Sequence, residues 1–264
     1  MSQPAREIPI PFYGDRNLDQ QLVRHCDIQG VLHSHTLYGD GAHSLRAMVE
    51  TAREIGLSYL GISDHYGCAS REQGLDANSI TRQREEINAL MKEFPGFEIF
   101  QGVEVDANED GSLPVTDEML EPFDYVIVSL PDGNQMEPTR LTEALIKIAM
   151  NPHTTIVSKP IGDFMLRRPP VPVDMESVLQ AAAKASVTLE IDANPQSLDL
   201  DWSCCNRAQE LGVMLSINPN AHRAARLVDY RHGVELARDA GICCRSIINT
   251  MSGAELRAYL SRRR

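Results

Sequence analysis

Leu32-His33-Ser34-His35-Thr36 closes a short apolar run, and Ser63-Asp64-His65 closes a second about thirty residues later. Side chains alternate faces along a strand, so His33 and His35, two apart, project to the same side. Two imidazoles side by side at a strand end supply half of a transition-metal site. His65, at the end of the next run, can complete the cluster from an adjacent strand. Such a cluster points to a metallohydrolase.

The elements that must position these residues follow from the pattern of the chain. Apolar runs at 28–33, 57–64, 97–104, 125–129, 155–158, 187–192, 213–217 and 246–248 read as strands, and helical patterns fill the spaces between them. Ser44 is placed to cap a helix through Met48 and Ala52, and Asn78 or Ser79 one through Ile87, Leu90 and Met91. Further helical patterns occupy 138–150, 175–185, 202–211 and 232–240, and Ser252-Gly-Ala-Glu255 is a capping-box pattern opening the last. Strands alternating with helices of this length predict βα units and a mainly parallel sheet. Seven or eight units in one chain, with no G-x-G-x-x-G and no P-loop after any strand, favour a closed α/β barrel over a nucleotide-binding open sheet.

In such a barrel chemistry sits where strands end and βα loops begin. The polar residues at those points are His33 and His35, Asp64 and His65, Glu104, Ser129, Lys159, Asp192 and Asn194, then Asn218, Asn220 and His222. His153 precedes its strand and so belongs to the opposite rim. His25 and His232 have no strand-end context and read as structural or surface residues. His43 falls in the first βα loop and its role stays open.

Composition narrows the functional classes. The 264 residues suit one large domain, here a polar arm over 1–27 and a barrel over 28–264. Lys and Arg number 25 against 37 Asp and Glu, a net charge of −12 that repels phosphate backbones and argues against nucleic-acid binding. No apolar stretch approaches bilayer length and no charged leader precedes an apolar core, so a cytoplasmic protein is expected. The cysteines are Cys26, Cys68 and the vicinal pairs 204–205 and 243–244, without a C-x-x-C spacing, which fits reduced thiols.

The stretch Gly30-Val-Leu-His-Ser-His-Thr-Leu-Tyr-Gly-Asp-Gly through Tyr59-Leu-Gly-Ile-Ser-Asp-His65 resembles the first two motifs of the polymerase and histidinol phosphatase (PHP) family, and Gly102-Val-Glu-Val-Asp106 its third. Leu189-Glu-Ile-Asp-Ala-Asn-Pro195 with Leu198-Asp-Leu200, Asn220-Ala-His222, Arg231-His-Gly-Val234 and Ile248-Asn-Thr250 are similar in particular to the PHP domain attached to bacterial family X DNA polymerases. The resemblance spans roughly residues 28–260 with no polymerase domain beside it. It implies a distorted (β/α)7 TIM-like barrel, the PHP fold, holding up to three divalent metals and hydrolysing phosphate esters. Carried over, the first metal takes His33, His35 and Glu104, with Asn220 where an aspartate is expected. The second shares Glu104, but Pro131 and Lys159 stand where two histidines belong. The third takes Asp40, His65 and His222. Two arginines of the polymerase-linked domains are replaced by Asp163 and Ser197.

These departures have physical consequences. Proline offers no side-chain donor, and an ammonium repels a dication, so the second position should hold no metal. Lys159 can replace one charge there but cannot supply Lewis acidity. Three readings follow. In the first, the protein is a phosphoesterase-type hydrolase with one or two ions (zinc, manganese or iron), Glu104, His65 and Lys159 taking part in the chemistry while Arg167, Arg168 and Arg223 hold a small anionic substrate such as a phosphate ester. In the second, the pocket binds a small ligand or partner without hydrolysis. In the third, the protein is a nuclease or repair accessory, against which the acidic charge and missing arginines weigh.

Overall fold

The computed structural model describes residues 21–67, 74–131, 136–158, 160, 173–195 and 202–262. Seven strands lie side by side in chain order, every neighbouring pair parallel: β1 (Gly30–Val31), β2 (Tyr59–Ile62), β3 (Glu98–Asp106), β4 (Tyr125–Ser129), β5 (Ile156–Val157), β6 (Thr188–Asp192) and β7 (Leu215–Asn218). The crossovers carry α1 (Leu45–Glu54), α2 (Ala77–Glu93), α3 (Asp117–Leu120), α4 (Pro138–Met150), α5 (Met175–Ala185) and α6 (Trp202–Glu210). After β7 come α7 (Tyr230–Asp239) and α8 (Gly253–Ser261). This is the (β/α)7 barrel expected from the sequence. Among the described residues no helix is long and apolar enough to cross a membrane.

Strand alternation sorts the side chains into two cores. Leu60, Ile62, Val103, Val105, Val126, Val128, Leu189, Ile191, Leu215 and Ile217 face outward and join the large cluster shared with the helices. Their neighbours in sequence face inward and change character from one end of the barrel to the other. At the N-terminal end Tyr59, Phe100 and Tyr125 fill the interior with Leu32, Ile127 and Ile156, and Leu256 and Leu260 of α8 close it from below. Glycines make room for these rings: a Cβ on Gly30 would fall 2.2 Å from the Tyr59 ring, and one on Gly102 2.2 Å from that of Tyr125. Above this floor the inward positions turn polar: Ser158, Glu190, Ser216 and Asn218 are all fully buried.

The barrel closes between β7 and β1 without a regular ladder. At the upper end His35 N donates to Ala221 O (2.9 Å) and Ala221 N to His33 O (3.2 Å). Lower down, one asparagine replaces a strand's backbone. Asn249 accepts from Ile217 N (2.7 Å) and donates to Gly30 O (2.9 Å) and Ile217 O (3.0 Å). Asn218 extends the seam by accepting from Leu32 N (2.7 Å).

Two local expectations change. The run at 246–248 is not an eighth strand but part of two 3₁₀ turns, Cys244–Ser246 and Ile248–Thr250, bridged to β7 only at Leu215 and Ile247. Beside that single bridge, the side chain of Asn249, just past the run, pairs with β7 and β1. The cap of α2 is Asp76 rather than Asn78 or Ser79: Asp76 Oδ1 accepts from Ser79 N (2.7 Å) while Ser79 Oγ accepts from Asp76 N (2.7 Å). Ser44 and Ser252 cap α1 and α8 as expected. The end of the N-terminal arm packs on the barrel, with Val23 fully buried and bonded to Ile242 O (3.0 Å).

Replacing Asn249 by alanine leaves buried backbone groups of Ile217 and Gly30 without partners. The expected loss of unfolding free energy is about 2–4 kcal/mol, because each buried orphan costs about 1–3 kcal/mol. Urea denaturation measures it; a change under ~0.5 kcal/mol, the range of ordinary surface substitutions, would show that the seam does not depend on this side chain.

Candidate metal centre

The regular part of β1 ends at Val31, and the chain then bends so that His33 and His35 lie at the C-terminal mouth, both fully buried. β2 delivers Asp64 and His65 just past its last residue, and β3 delivers Glu104 and Asp106. The loop after β7 delivers Asn220 and His222, and the first βα loop delivers Asp40. Nine residues from distant parts of the chain thus meet at one end of the parallel sheet, the end at which barrel enzymes carry their sites.

Glu104 is the hub. Its Oε2 lies 3.0 Å from His33 Nε2, 3.2 Å from His65 Nε2 and 3.4 Å from His35 Nε2. His35 Nε2 is also 3.2 Å from Asn220 Oδ1. The ring of His35 is stacked between two others, 4.1 Å from His222 and 4.9 Å from His65 between centroids. Asp40 faces the same stack, with Oδ2 3.4 Å from His222 Nε2 and Oδ1 3.5 Å from His35 Nδ1. Two sets of candidate ligands overlap here, His33/His35/Glu104 and His35/Asp40/His65/His222. A third, His65/Glu104/Asp106, adds the carboxylate that Ser129 Oγ holds at 2.8 Å.

The charges are set by this crowding. Burial opposes ionisation of Glu104, but the imidazoles of His33, His65 and His35 outweigh it and hold the carboxyl well below its ordinary range. Burial also lowers His35, and the neighbouring His33, His222 and His65 reinforce the effect against Glu104, so His35 is held neutral. Asp40, despite its burial, is kept ionised by His222, His35 and His65. His33 is the exception: burial works against its charged form, yet Glu190 and Glu104 push it up to about 10.

A divalent cation suits this arrangement. Three Nε2 atoms converge on one carboxylate oxygen, more donors than such an oxygen readily accepts in good geometry. His35 Nδ1 is buried with no hydrogen bond. The neutral His35 and the ionised Glu104 and Asp40 are already in the forms that ligate metals, while His33 would release its Nε2 proton on binding an ion.

Asp64 turns away from the cluster. Its Oδ1 accepts from Thr36 N (2.6 Å), and its Oδ2 accepts from Thr36 Oγ1 (2.6 Å) and Gln83 Nε2 (2.7 Å). Burial pushes this carboxyl up to about 7 against those hydrogen bonds. Asp64 thereby fixes the backbone immediately after His35. Asp192 accepts from Asn194 N (2.9 Å), an arrangement that caps its loop.

The structure therefore gathers His33, His35, Asp40, His65, Glu104, Asn220 and His222, all predicted as ligands. Pro131 is exposed past β4, and Arg223 is exposed beside His222 in the chain. Lys159, Arg167 and Arg168, to which the sequence assigned catalysis and anion binding, lie outside the described residues, as do Cys68, Asp163 and Ser197. His25 pairs with Glu235 (2.5 Å) and His153 with Asp117 (3.3 Å), both away from the cluster. His43 Nδ1 accepts from Ala224 N (3.4 Å), a structural role. Sequence reasoning missed Glu190, which meets His33 Nδ1 at 2.9 Å, and Ser158, which touches it; Asn218, its other partner, was placed at a strand end but given no role. The signal was present in Thr188-Leu-Glu-Ile-Asp192, where polar residues occupy every inward position of a strand flanked by apolar ones.

Comparison with known proteins places this geometry in context. The PHP domain family matches residues 31–158. The DNA polymerase/3'-5' exonuclease PolX of Bacillus subtilis is 34% identical over 242 residues, covering 92% of this chain, while the chain spans only 42% of that protein. A protein of Thermoanaerobacter sp. named as a probable phosphatase is 27% identical over 248 residues, 89% of this chain and 96% of its own. The crystal structure of histidinol phosphate phosphatase from Lactococcus lactis, complexed with zinc, L-histidinol and phosphate, superposes with a TM-score of 0.62 at 17% identity, covering 81% of this chain and 94% of that one. With its motifs in order along a seven-stranded parallel barrel, the chain belongs to the PHP domain family.

Proposed function

We propose that the protein is a metal-dependent phosphoesterase that hydrolyses a small anionic substrate with one or two divalent ions, zinc, manganese or iron. One observation carries this reading: four imidazoles and the carboxylates of Glu104 and Asp40 crowd one barrel mouth with their ligating atoms facing one another. His33, His35, Glu104 and Asn220 would hold one ion, and Asp40, His65 and His222 another, with His35 between them. Such an ion supplies Lewis acidity toward a phosphoryl oxygen and makes water ionise near neutral pH. The names of two relatives, a probable phosphatase and a histidinol phosphate phosphatase, support the same class.

The chain's own residues divide the remaining work. Glu104 faces the Nε2 atoms of three imidazoles at once and would supply the negative charge that balances an ion held among them. Asp64 keeps the segment after His35 in place. Arg223, next to His222, and the expected cations Lys159, Arg167 and Arg168 would attract the substrate's anionic group. His65 and Lys159 remain the candidates for moving a proton.

A second reading has its own supporting observation. Asn220 presents a neutral oxygen to His35 where the family resemblance implies an aspartate, and Pro131 offers no ligand atom. In this reading the pocket keeps ligand binding without hydrolysis. Of the polymerase-linked relatives' nucleic-acid chemistry, the net charge of −12 speaks against transfer to this chain.

Purification without chelator, followed by elemental analysis and assay of a generic phosphate ester, separates these readings. One or two ions per chain with metal-dependent turnover is expected, and Glu104→Ala should lower turnover by at least about 100-fold, since even changes behind the ligands cost 10–100-fold. No bound ion and no turnover in excess Mn²⁺ or Zn²⁺ would favour ligand binding alone.

The combined variant Pro131→His, Lys159→His and Asn220→Asp restores the implied ligands. Asn220 has φ +46°, a left-handed conformation that aspartate tolerates nearly as well as asparagine, so the third change should be accepted locally. The variant is expected to hold more metal and hydrolyse faster than the natural chain. Gain of neither would mean that the pocket has diverged beyond these three positions.

A further inference from the structure

Below the crowded mouth, and not among the expected ligands, lies a fully buried carboxylate. Glu190 sits at an inward position of β6 with no exposure, and His33 above it has none either. Its Oε1 is 2.9 Å and its Oε2 3.1 Å from His33 Nδ1. Asn218 Nδ2 donates to Oε1 (2.8 Å), and Ser158 Oγ donates to Oε2 through a short hydrogen bond. Neighbours on both sides donate to this carboxylate, so it serves His33 as an acceptor, and the ring must present Nδ1–H to it. An imidazole whose Nδ1 proton is committed in this way leaves Nε2 as the nitrogen available to a cation. That nitrogen is the one that faces Glu104, at 3.0 Å.

We propose that Glu190 is the positioning residue of the metal centre: by accepting the Nδ1 proton of His33 it fixes the ring's tautomer and rotation so that Nε2 meets the ion. The inference rests on the metal-dependent reading above and deepens it. Among the described residues the imidazole that Glu190 meets is His33, the one ring it shares with Glu104, so its effect passes through His33. The support behind it reaches the barrel seam. Asn218 donates to Glu190 with its amide and accepts from Leu32 N with its oxygen, so the group that orients His33 also ties β7 to the residue preceding His33. A hydrophobic residue of similar size at 190 would keep the interior filled but leave His33 free to exchange tautomers. An amide would preserve an acceptor without the charge.

The test uses Zn²⁺ as the probe, with affinity measured by competition against a chelating indicator, and nitrogen-15 NMR of the histidine rings in both metal-free and zinc-loaded protein. Glu190→Leu is expected to weaken Zn²⁺ binding by about 10–100-fold, the range found for partners that orient metal-bound histidines. Glu190→Gln should weaken it less and move the His33 Nδ1 proton upfield as its acceptor loses charge. Thr188→Val, on the same face of the same strand but bonded to Tyr259 (2.8 Å) at the floor, should leave affinity unchanged, which separates orientation from general loosening of the barrel. A folded Glu190→Leu protein binding Zn²⁺ as the natural chain does would overturn the proposal. So would zinc bound to His33 through Nδ1, or a His33 Nδ1 proton unmoved in Glu190→Gln, and these readouts stand even where the leucine variant fails to fold. Should the natural protein bind no Zn²⁺, the metal-dependent reading fails, while the response of the His33 Nδ1 proton to Glu190→Gln in the metal-free protein still decides whether Glu190 holds the ring.

Discussion

Everything at the mouth of this barrel depends on satisfying ionisable groups that have been taken out of water. A carboxylate or imidazolium moved alone into a low-dielectric interior costs several kcal/mol even after relaxation, so each must find partners with good geometry. Here the partners are one another. Glu104 is surrounded by imidazoles, Glu190 by a hydroxyl, an amide and a ring nitrogen, and Asp64 by a hydroxyl, an amide and a backbone N–H. Because the network is complete only when strands β1, β2, β3, β6 and β7 are in register, polar satisfaction and barrel closure are the same requirement. The helices contribute stability through the outer apolar cluster, but the inner polar layer specifies which side chain stands beside which.

Much of this was legible in the chain and some of it was not. Strand ends are marked by abrupt changes from Val, Ile and Leu to His, Asp and Glu, so His33, His35, His65, Glu104 and His222 could be placed at one rim before any coordinates. Ser44 and Ser252 cap their helices as local chemistry dictates. Asp76 escaped because capping depends on where the first turn begins, and Asn78, Ser79 and Asp76 are all competent caps within four residues. The run at 246–248 misled for a related reason: apolar character over three residues does not distinguish a strand from a buried turn. Asn249 acts through its side chain, a contact with β7 and β1 that no periodicity announces. Glu190 was hidden by the habit of looking only at strand tips. It lies two residues below Asp192, where its partner is another strand's histidine rather than anything nearby in sequence.

Asn220 stands where the family resemblance implies an aspartate, and the structure gives it duties of its own. The residue occupies a left-handed backbone position in the loop after β7 and still points an oxygen at His35 Nε2. Its neighbour Ala221 makes the upper closing contacts with the segment carrying His33 and His35. The loop therefore has a structural duty that needs no carboxylate at position 220. The family match itself ends at residue 158, yet Glu190, Asn218, Asn220, His222 and Asn249 all lie beyond it. The centre is completed by the half of the chain in which local motifs are weakest.

The aromatic floor has a consequence for traffic. With Tyr59, Phe100 and Tyr125 filling the interior, glycines giving them no slack, and α8 seated underneath, the described residues plug the barrel at its lower end. Whatever reaches the imidazoles must arrive and leave by the same opening. New preferences for visitors can then arise from the rim segments alone, without any change in the plug that keeps the scaffold shut.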